Sequence, residues 1–385
     1  MFKVLVWDYT GISAQWLEQV ADMKDIEVVG TIKPKEHVPD IFFDTDEWDW
    51  LLIFEQGMRD FFNTAIRISR LPPERVIYAL DIVSWIKHPK AAFALTDMQW
   101  AAGSNIFFNM HWAISRQLNK FVTCTVDGIN YIGTSKDLSI MWYMYTNRVN
   151  FAVDDMKVFH TLAKKYYNVD DGAGYFLDLG ANIGTTGLYF TTKLAPNLKL
   201  LAVEPDPENF KLHQINLLLN EIGDDKATLI NCGLGDKADE MTMYRDLRNP
   251  GHNNFTEPKT GVPTETVKIM PLDACLAEKQ IAAREVKYIW IDTEGFEAQV
   301  LLGAKKLLRE NPAPIFMECN LSVWENSGRL DEMLALLAEG YSHLIHVAGS
   351  KIDLYPLDAI RTVGNPKADI GGNGDIFLIR KGAIV

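Results

Sequence analysis

Cysteine is scarce: Cys124, Cys232, Cys275 and Cys319 are the only four, and no two form a CxxC pair. That excludes a disulfide framework and a paired-cysteine metal or redox site, so each thiol reads as a small buried hydrophobe. Positive charge is in deficit, with 38 Lys plus Arg against 51 Asp plus Glu and a net charge of −13. So acidic a chain repels phosphate backbones, which argues against nucleic acid as the main partner. No apolar run reaches the roughly 18 residues of a membrane span. The start, MFKVLVWDYTG, lacks the apolar core and small-residue cleavage site of a secretory signal. Together these absences lead us to expect a reduced, cytoplasmic protein with no membrane span. What is present is an ordinary globular composition, 48% hydrophobic and 23% charged over 385 residues, enough for two or three domains.

The first stretch alternates strand and helix. Lys3–Asp8, Glu27–Ile32, Trp48–Glu55 and Arg75–Asp81 are short runs rich in β-branched and aromatic residues. Ile12, Trp16, Val20 and Met23 recur at helical spacing, as do Met58, Phe61, Phe62, Ala65 and Ile66 before Pro72-Pro73. A helix around Trp100–Leu118 closes this unit. The pattern predicts a small parallel sheet with helices on its faces, spanning residues 1–119 as an accessory α/β domain. Phe121–Val126 and Ile129–Gly133 then form a hairpin around Asp127-Gly128. An aromatic-rich helical lead-in runs to about Tyr167, and the Asp170-Asp171-Gly172 loop ends it.

A second α/β unit occupies residues 173–385. Its expected strands are Tyr175–Leu179, Lys199–Glu204, Ala227–Gly233, Lys287–Asp292 and Pro314–Glu318, with Ser342–Val347 and Asp375–Lys381 at the end. Helices alternate with them from Ile183 to about Leu194, then over Glu208–Asn220, Leu272–Lys279, Glu297–Leu308 and Leu330–Ala338. The order predicts a doubly wound, Rossmann-like sheet with a terminal antiparallel pair.

Three segments carry chemistry. In FLDLGANIGTTG a strand ends at Leu179, Gly180 allows a tight turn, and Gly184 lets the next helix start close to the strand and to a ligand. Asp178 lies where a carboxylate accepts from a cationic ligand group, which a nicotinamide loop does not require. Twenty residues after Gly184, Glu204 ends the next strand, where an acid takes both ribose hydroxyls. Asp178, Gly180, Asn182, Gly184 and Glu204 together fit S-adenosylmethionine better than NAD. The third segment, KYIWIDTEGFE, presents Asp292, Glu294 and Glu297 around Gly295 at a strand's carboxyl end, where ligands lie in open α/β sheets. Glu297 has a second reading, as a residue that only starts the next helix.

These motifs, with AVEPDPENF, INCGLGDK and the VLLGAKKLL that follows IDTEGFE, resemble the FkbM family of S-adenosylmethionine-dependent methyltransferases. The resemblance covers about Phe121 to the C-terminus and is strongest between Tyr175 and Leu308. It implies a class I methyltransferase fold and O-methyl transfer to a hydroxyl of a small molecule, sugar or glycan. By position, Asp178, Gly180, Asn182 and Gly184 look like the cofactor loop, Glu204 like the ribose acid, and Asp292 like the fourth-strand acid. The first ~120 residues lie outside it. An NAD(P)-dependent oxidoreductase and a non-catalytic cofactor-binding scaffold are the alternatives.

Further candidates follow from position. Cys232, in Asn231-Cys232-Gly233, stands where small groups edge an adenine, or simply ends its strand. His252 lies in the polar loop NPGHNNFTE and is placed third, after Asp292 and Glu294, as a base toward the acceptor. Glu318 in FMECN ends the fifth strand and could line the same cleft. His343 and His346 fall on opposite faces of a strand and make a poor metal pair. Asp292 and Glu294 alone could hold a divalent ion, yet nothing has full metal-ligand spacing and no metal is expected. Eight of the ten tryptophans fall in the first 150 residues, where they serve the core, a sugar ring or the interface of a homo-oligomer.

Overall fold

The computed structural model describes residues 2–9, 13, 26–33, 46–55, 59–68, 71–72, 75–78, 105–245, 255, 262–348, 351–363 and 374–383. The chain divides into two compact units, one of residues 1–122 with 145–148, the other of 123–144 with 149–385.

In the first unit, β1 (Phe2–Asp8), β2 (Ile26–Ile32), β3 (Trp50–Phe54) and β4 (Val76–Tyr78) form a parallel sheet in the order β2-β1-β3-β4. Alternate positions Leu5, Trp7, Leu51 and Ile53 point to one face. The amphipathic helix Arg59–Ile68 covers that face with Phe62 and Ile66. Trp7 meets Phe62 edge to face, with ring centroids 4.9 Å apart, and Trp48 is buried in the same core. These two tryptophans therefore serve packing. The helix expected over Ile12–Met23 lies outside the described residues except for Ser13, and Trp16, Trp85 and Trp100 lie outside them too. A helix does span Asn105–Leu118.

β5 (Phe121–Val126) and β6 (Ile129–Thr134) pair as a hairpin, and Asp127 and Gly128 both take positive φ, the twist a two-residue turn needs. The lead-in is two helices, Ile140–Asn147 and Val153–Tyr167.

The main sheet of the second unit contains β7 (Tyr175–Leu179), β8 (Lys199–Val203), β9 (Ala227–Ile230), β13 (Val286–Ile291), β14 (Ile315–Glu318), β15 (Tyr341–Ala348), β16 (Lys351–Pro356) and β17 (Asp375–Arg380). Their order is β16-β15-β17-β14-β13-β7-β8-β9. β7, β8, β9, β13 and β14 run parallel, and β17 inserts antiparallel between β14 and β15. This is the expected doubly wound sheet with a terminal antiparallel pair, extended by an edge strand, β16. The chain winds outward from β7 to β9, then returns beside β7 as β13, which opens a crevice at the carboxyl ends of β7 and β13. Phe159, Phe176, Phe190, Tyr288 and Phe316 fill the core on one face; Phe176 stacks on Phe190 at 4.2 Å.

Several expected boundaries differ, each for a local reason. The third strand stops at Ile230 because Asn231 turns back, its side-chain amide donating to the carbonyls of Glu204 (2.8 Å) and Pro205 (3.1 Å). Gly233–Leu234 (β10) instead joins a separate small sheet with β11 (Asp239–Arg245) and β12 (Val262–Met270), a pairing the sequence reading did not find. The helix after β7 is α-helical only over Thr185–Tyr189 and widens to a π-turn over Phe190–Leu194. There Thr191 and Thr192 hydroxyls donate back to the carbonyls of Gly187 and Leu188. The expected helix Glu297–Leu308 is two, Glu297–Leu302 and Lys305–Glu310. At the break a Cβ on Gly303 would lie 2.1 Å from the Gly235 carbonyl, and Asp273 caps the second helix through the amides of Lys306 and Leu307.

Candidate active site

Strand register brings the three motifs together. Leu179 pairs with both Ile291 and Val203, so Gly180, Asp292 and Glu204 leave the sheet side by side. The amides of Gly180 and Ala181 both donate to the Val203 carbonyl, and the Asp292 amide donates to Leu179. Gly180 takes φ +90°, and a Cβ there would stand 1.7 Å from the Asp292 carbonyl oxygen. Only glycine fits that crossing. Asn182 holds a left-handed turn at φ 49° while its side chain accepts from the Ile183 amide.

A narrow cleft with a cavity volume of about 50 Å³ lies above these strand ends. Of the residues expected in a site, Gly180, Asn182, Glu204, Cys232, Asp292 and Glu294 line it. Glu204 accepts from the amides of Asn182 and Asp206, each at 2.8 Å, and burial pushes its carboxyl up to about 8. Cys232 is buried beside Cys275, which lies on the helix Leu272–Glu278. Phe255 and Phe296 supply apolar walls that motif reading missed, although Phe296 sits inside the IDTEGFE block.

Asp178 and Gly184 lie beneath the cleft and do not line it. Asp178 is buried under the start of the following helix, accepting from the Gly187 amide at 2.9 Å, and burial pushes its carboxyl up to about 7. Gly184 takes φ +89°, and a Cβ there would strike the ring of His213 at 2.3 Å. That ring is wholly buried, and burial drops its pKa to about 3.

The IDTEGFE loop is held from within. Oε1 of Glu297 accepts from the amides of Thr293 and Gly295 and from the Thr293 hydroxyl at 3.0–3.1 Å. Its Oε2 accepts from Nε1 of Trp324 at 2.8 Å. Glu297 is fully buried and starts its helix, so it shapes the loop and does not face the cleft. Asp292 and Glu294 are left pointing outward.

Beside Asp292 a second, larger cavity opens, with a volume of about 350 Å³. Glu318 lines it, as expected for the fifth strand's end, together with Asp155, Asp375 and Trp290, which sequence reading did not single out. Burial and then the charges of Glu318, Glu294, Asp375 and Glu297 hold the Asp292 carboxyl well above the ordinary carboxylate range. Glu294 and Glu318 are raised for the same reasons. Among the described residues no group of His, Cys, Asp and Glu has metal-binding geometry. His252 lies outside the described residues.

Residues 178–343 match the family model of the methyltransferase FkbM domain. Two curated proteins are similar. Methyltransferase sdnD of Sordaria araneosa is 27% identical over 193 residues, 43% of this chain and 72% of its own length. Methyltransferase 1 of Beauveria bassiana (strain ARSEF 2860) is 28% identical over 148 residues, 34% of this chain and 57% of its own length. Among solved structures, methyltransferase FkbM from Methylobacillus flagellatus KT is 14% identical with a TM-score of 0.36, over 98% of this chain and 90% of that one. An O-methyltransferase from Bacillus cereus in complex with SAH is 13% identical with a TM-score of 0.35, over 60% and 82%. Residues 178–343 are thus similar to the FkbM methyltransferase domain, in the stretch where the motifs predicted that resemblance. The family model and both curated relatives are methyltransferases, the enzyme class expected from the motifs. No helix among the described residues is long and apolar enough to cross a membrane.

Proposed function

We propose that the protein transfers a methyl group from S-adenosylmethionine to a hydroxyl of a small molecule, sugar or glycan. The observation that carries this is the cleft shared by Glu204 and Asp292, floored by bare backbone at Gly180. When bound, S-adenosylmethionine supplies an activated methyl on a sulfonium. Glu204 holds the ribose hydroxyls, and Cys232 with Phe255 edges the adenine. Asp178 keeps the loop in shape from below through Gly187 and adds a negative charge toward the cofactor's ammonium.

Asp292 accepts the proton of the acceptor hydroxyl, a step a positioned base accelerates by about 10²–10⁴-fold. Its raised proton affinity makes it a stronger base than an ordinary carboxylate. Glu294 is the second choice for base and His252 the third. Four unpaired cysteines suit a reducing compartment, so we assign the reaction to the cytoplasm. The N-terminal unit holds the acceptor or a second subunit; a chain beginning at Lys120 should keep cofactor affinity and lose turnover or dimerisation.

Calorimetry with S-adenosylmethionine tests the central reading. Glu204→Ala should weaken binding by about 1.5–3 kcal/mol, the size of charged hydrogen bonds. Unchanged affinity in that variant, or preferential binding of NADH, would sink it. Cofactor binding without turnover on any hydroxyl acceptor would mark a scaffold instead.

A further inference from the structure

The second cavity has a chemistry of its own. Its polar lining is Asp154, Asp155, Asp292, Glu318 and Asp375, and its aromatic lining is Tyr143, Phe151 and Trp290. Among the described residues no lysine or arginine lines it. The acids come from four elements: the helix Val153–Tyr167, the ends of β13 and β14, and the start of β17.

Among the described residues only two of these acids have a partner. Glu318 accepts from Asn320, and Asp154 at the rim lies 3.8 Å from Lys157. The carboxylates of Asp155, Asp292 and Asp375 accept no hydrogen bond from any described residue, although burial pushes Asp375 up to about 8 and raises Asp155. Asp155, Glu318 and Asp375 are half-buried and Asp292 is exposed to the open space, and like charges gathered this closely disfavour one another unless something compensates them. Here they face open space and one another, beside aromatic faces that attract cations. Trp290 is fixed for that use by stacking on Phe316 at 4.6 Å.

We propose that this cavity is the acceptor pocket and that the acceptor carries a cationic nitrogen, an ammonium held by Asp155 and Asp375 against Trp290. The inference rests on reading the adjoining cleft as the methyl-transfer site. Asp292 borders both spaces, so an amine anchored at Asp155 and Asp375 leaves the rest of the molecule to present its hydroxyl at Asp292.

Matched probes test it. Tyramine and tyrosol differ only in an ammonium against a hydroxyl, and glucosamine and glucose differ likewise at one carbon. Binding of each is measured by calorimetry on the full chain, with and without S-adenosylhomocysteine. The amine of at least one pair should bind about tenfold to a hundredfold tighter than its neutral partner, the ratio expected for charge-assisted hydrogen bonds. Asp375→Asn, and Asp155→Asn with it, should erase that preference while affinity for S-adenosylhomocysteine is kept. Equal affinity within both pairs, no binding of any probe, or a preference that survives both substitutions would overturn the proposal. Amine preference without S-adenosylhomocysteine binding would instead remove the methyl-transfer reading and leave the cation pocket standing. The wild-type comparison decides even if a variant fails to fold.

Discussion

Gly180 and Asp292 touch backbone to backbone: a side-chain carbon on the one would lie 1.7 Å from the carbonyl oxygen of the other. The cofactor loop and the strand end bearing the proposed base are thus one mechanical unit. Gly180→Ala must push β7 and β13 apart or refold the loop, at φ +90° in either case. We expect a loss of at least about 3 kcal/mol by chemical denaturation, from overpacking plus left-handed strain. A variant as stable as wild type with full cofactor affinity would show that the contact yields easily.

Glu297 is the clamp of the same loop. Glu297→Ala leaves the Trp324 indole N–H, two amides and the Thr293 hydroxyl without their acceptor. A loss of about 3–5 kcal/mol is expected, with a smaller one for Glu297→Gln, which keeps one acceptor oxygen. Equilibrium unfolding of both variants checks the ranking.

Asp292→Asn preserves shape and removes basicity. We expect kcat to fall by at least ~10²-fold with cofactor affinity nearly kept. In wild type, activity should rise with pH along a limb whose midpoint lies well above an ordinary carboxylate, because burial and four neighbouring acids favour the protonated form. Near-normal turnover in the variant would move the search to Glu294 and His252.

Asp178 links the site to stability. Its carboxyl titrates at about 7 in the folded chain against an ordinary 3.8, so between those values the folded state binds more protons than the unfolded one. Its contribution is therefore fully present below 3.8 and is lost as pH rises through about 7. Asp178→Asn should gain stability relative to wild type as pH rises across that window. Denaturation midpoints of the two proteins that stay parallel over the window would contradict the shift.

Much of the site was legible as short motifs. The glycine loop, Glu204 after the second strand and Asp292 with Glu294 after the fourth all lie within a few residues of a strand end. A doubly wound sheet gathers such ends into one crevice. Glu297 was ambiguous, since a helix start and a loop clamp place the same residue at the same position. Asp155, Asp375 and Trp290 were not legible. Asp375 is one acid before an apolar run, and nothing nearby says that β17 inserts beside β14, bringing it to Glu318.

The sequence by itself determined what near neighbours decide. These are the strands read from apolar runs, the hairpin at Asp127-Gly128, the loop around Gly180, and the acidic, cysteine-poor character of the chain. Such features rest on φ/ψ limits and on side-chain period, which a few consecutive residues specify. The tertiary structure decided the rest: the return of the chain to lay β13 against β7, the helix break where Gly303 meets Gly235, and the gathering of acids from distant segments around one cavity. Those outcomes depend on which faces are buried together across long stretches of chain, a choice made by packing and strand pairing as a whole and written in no single stretch of residues.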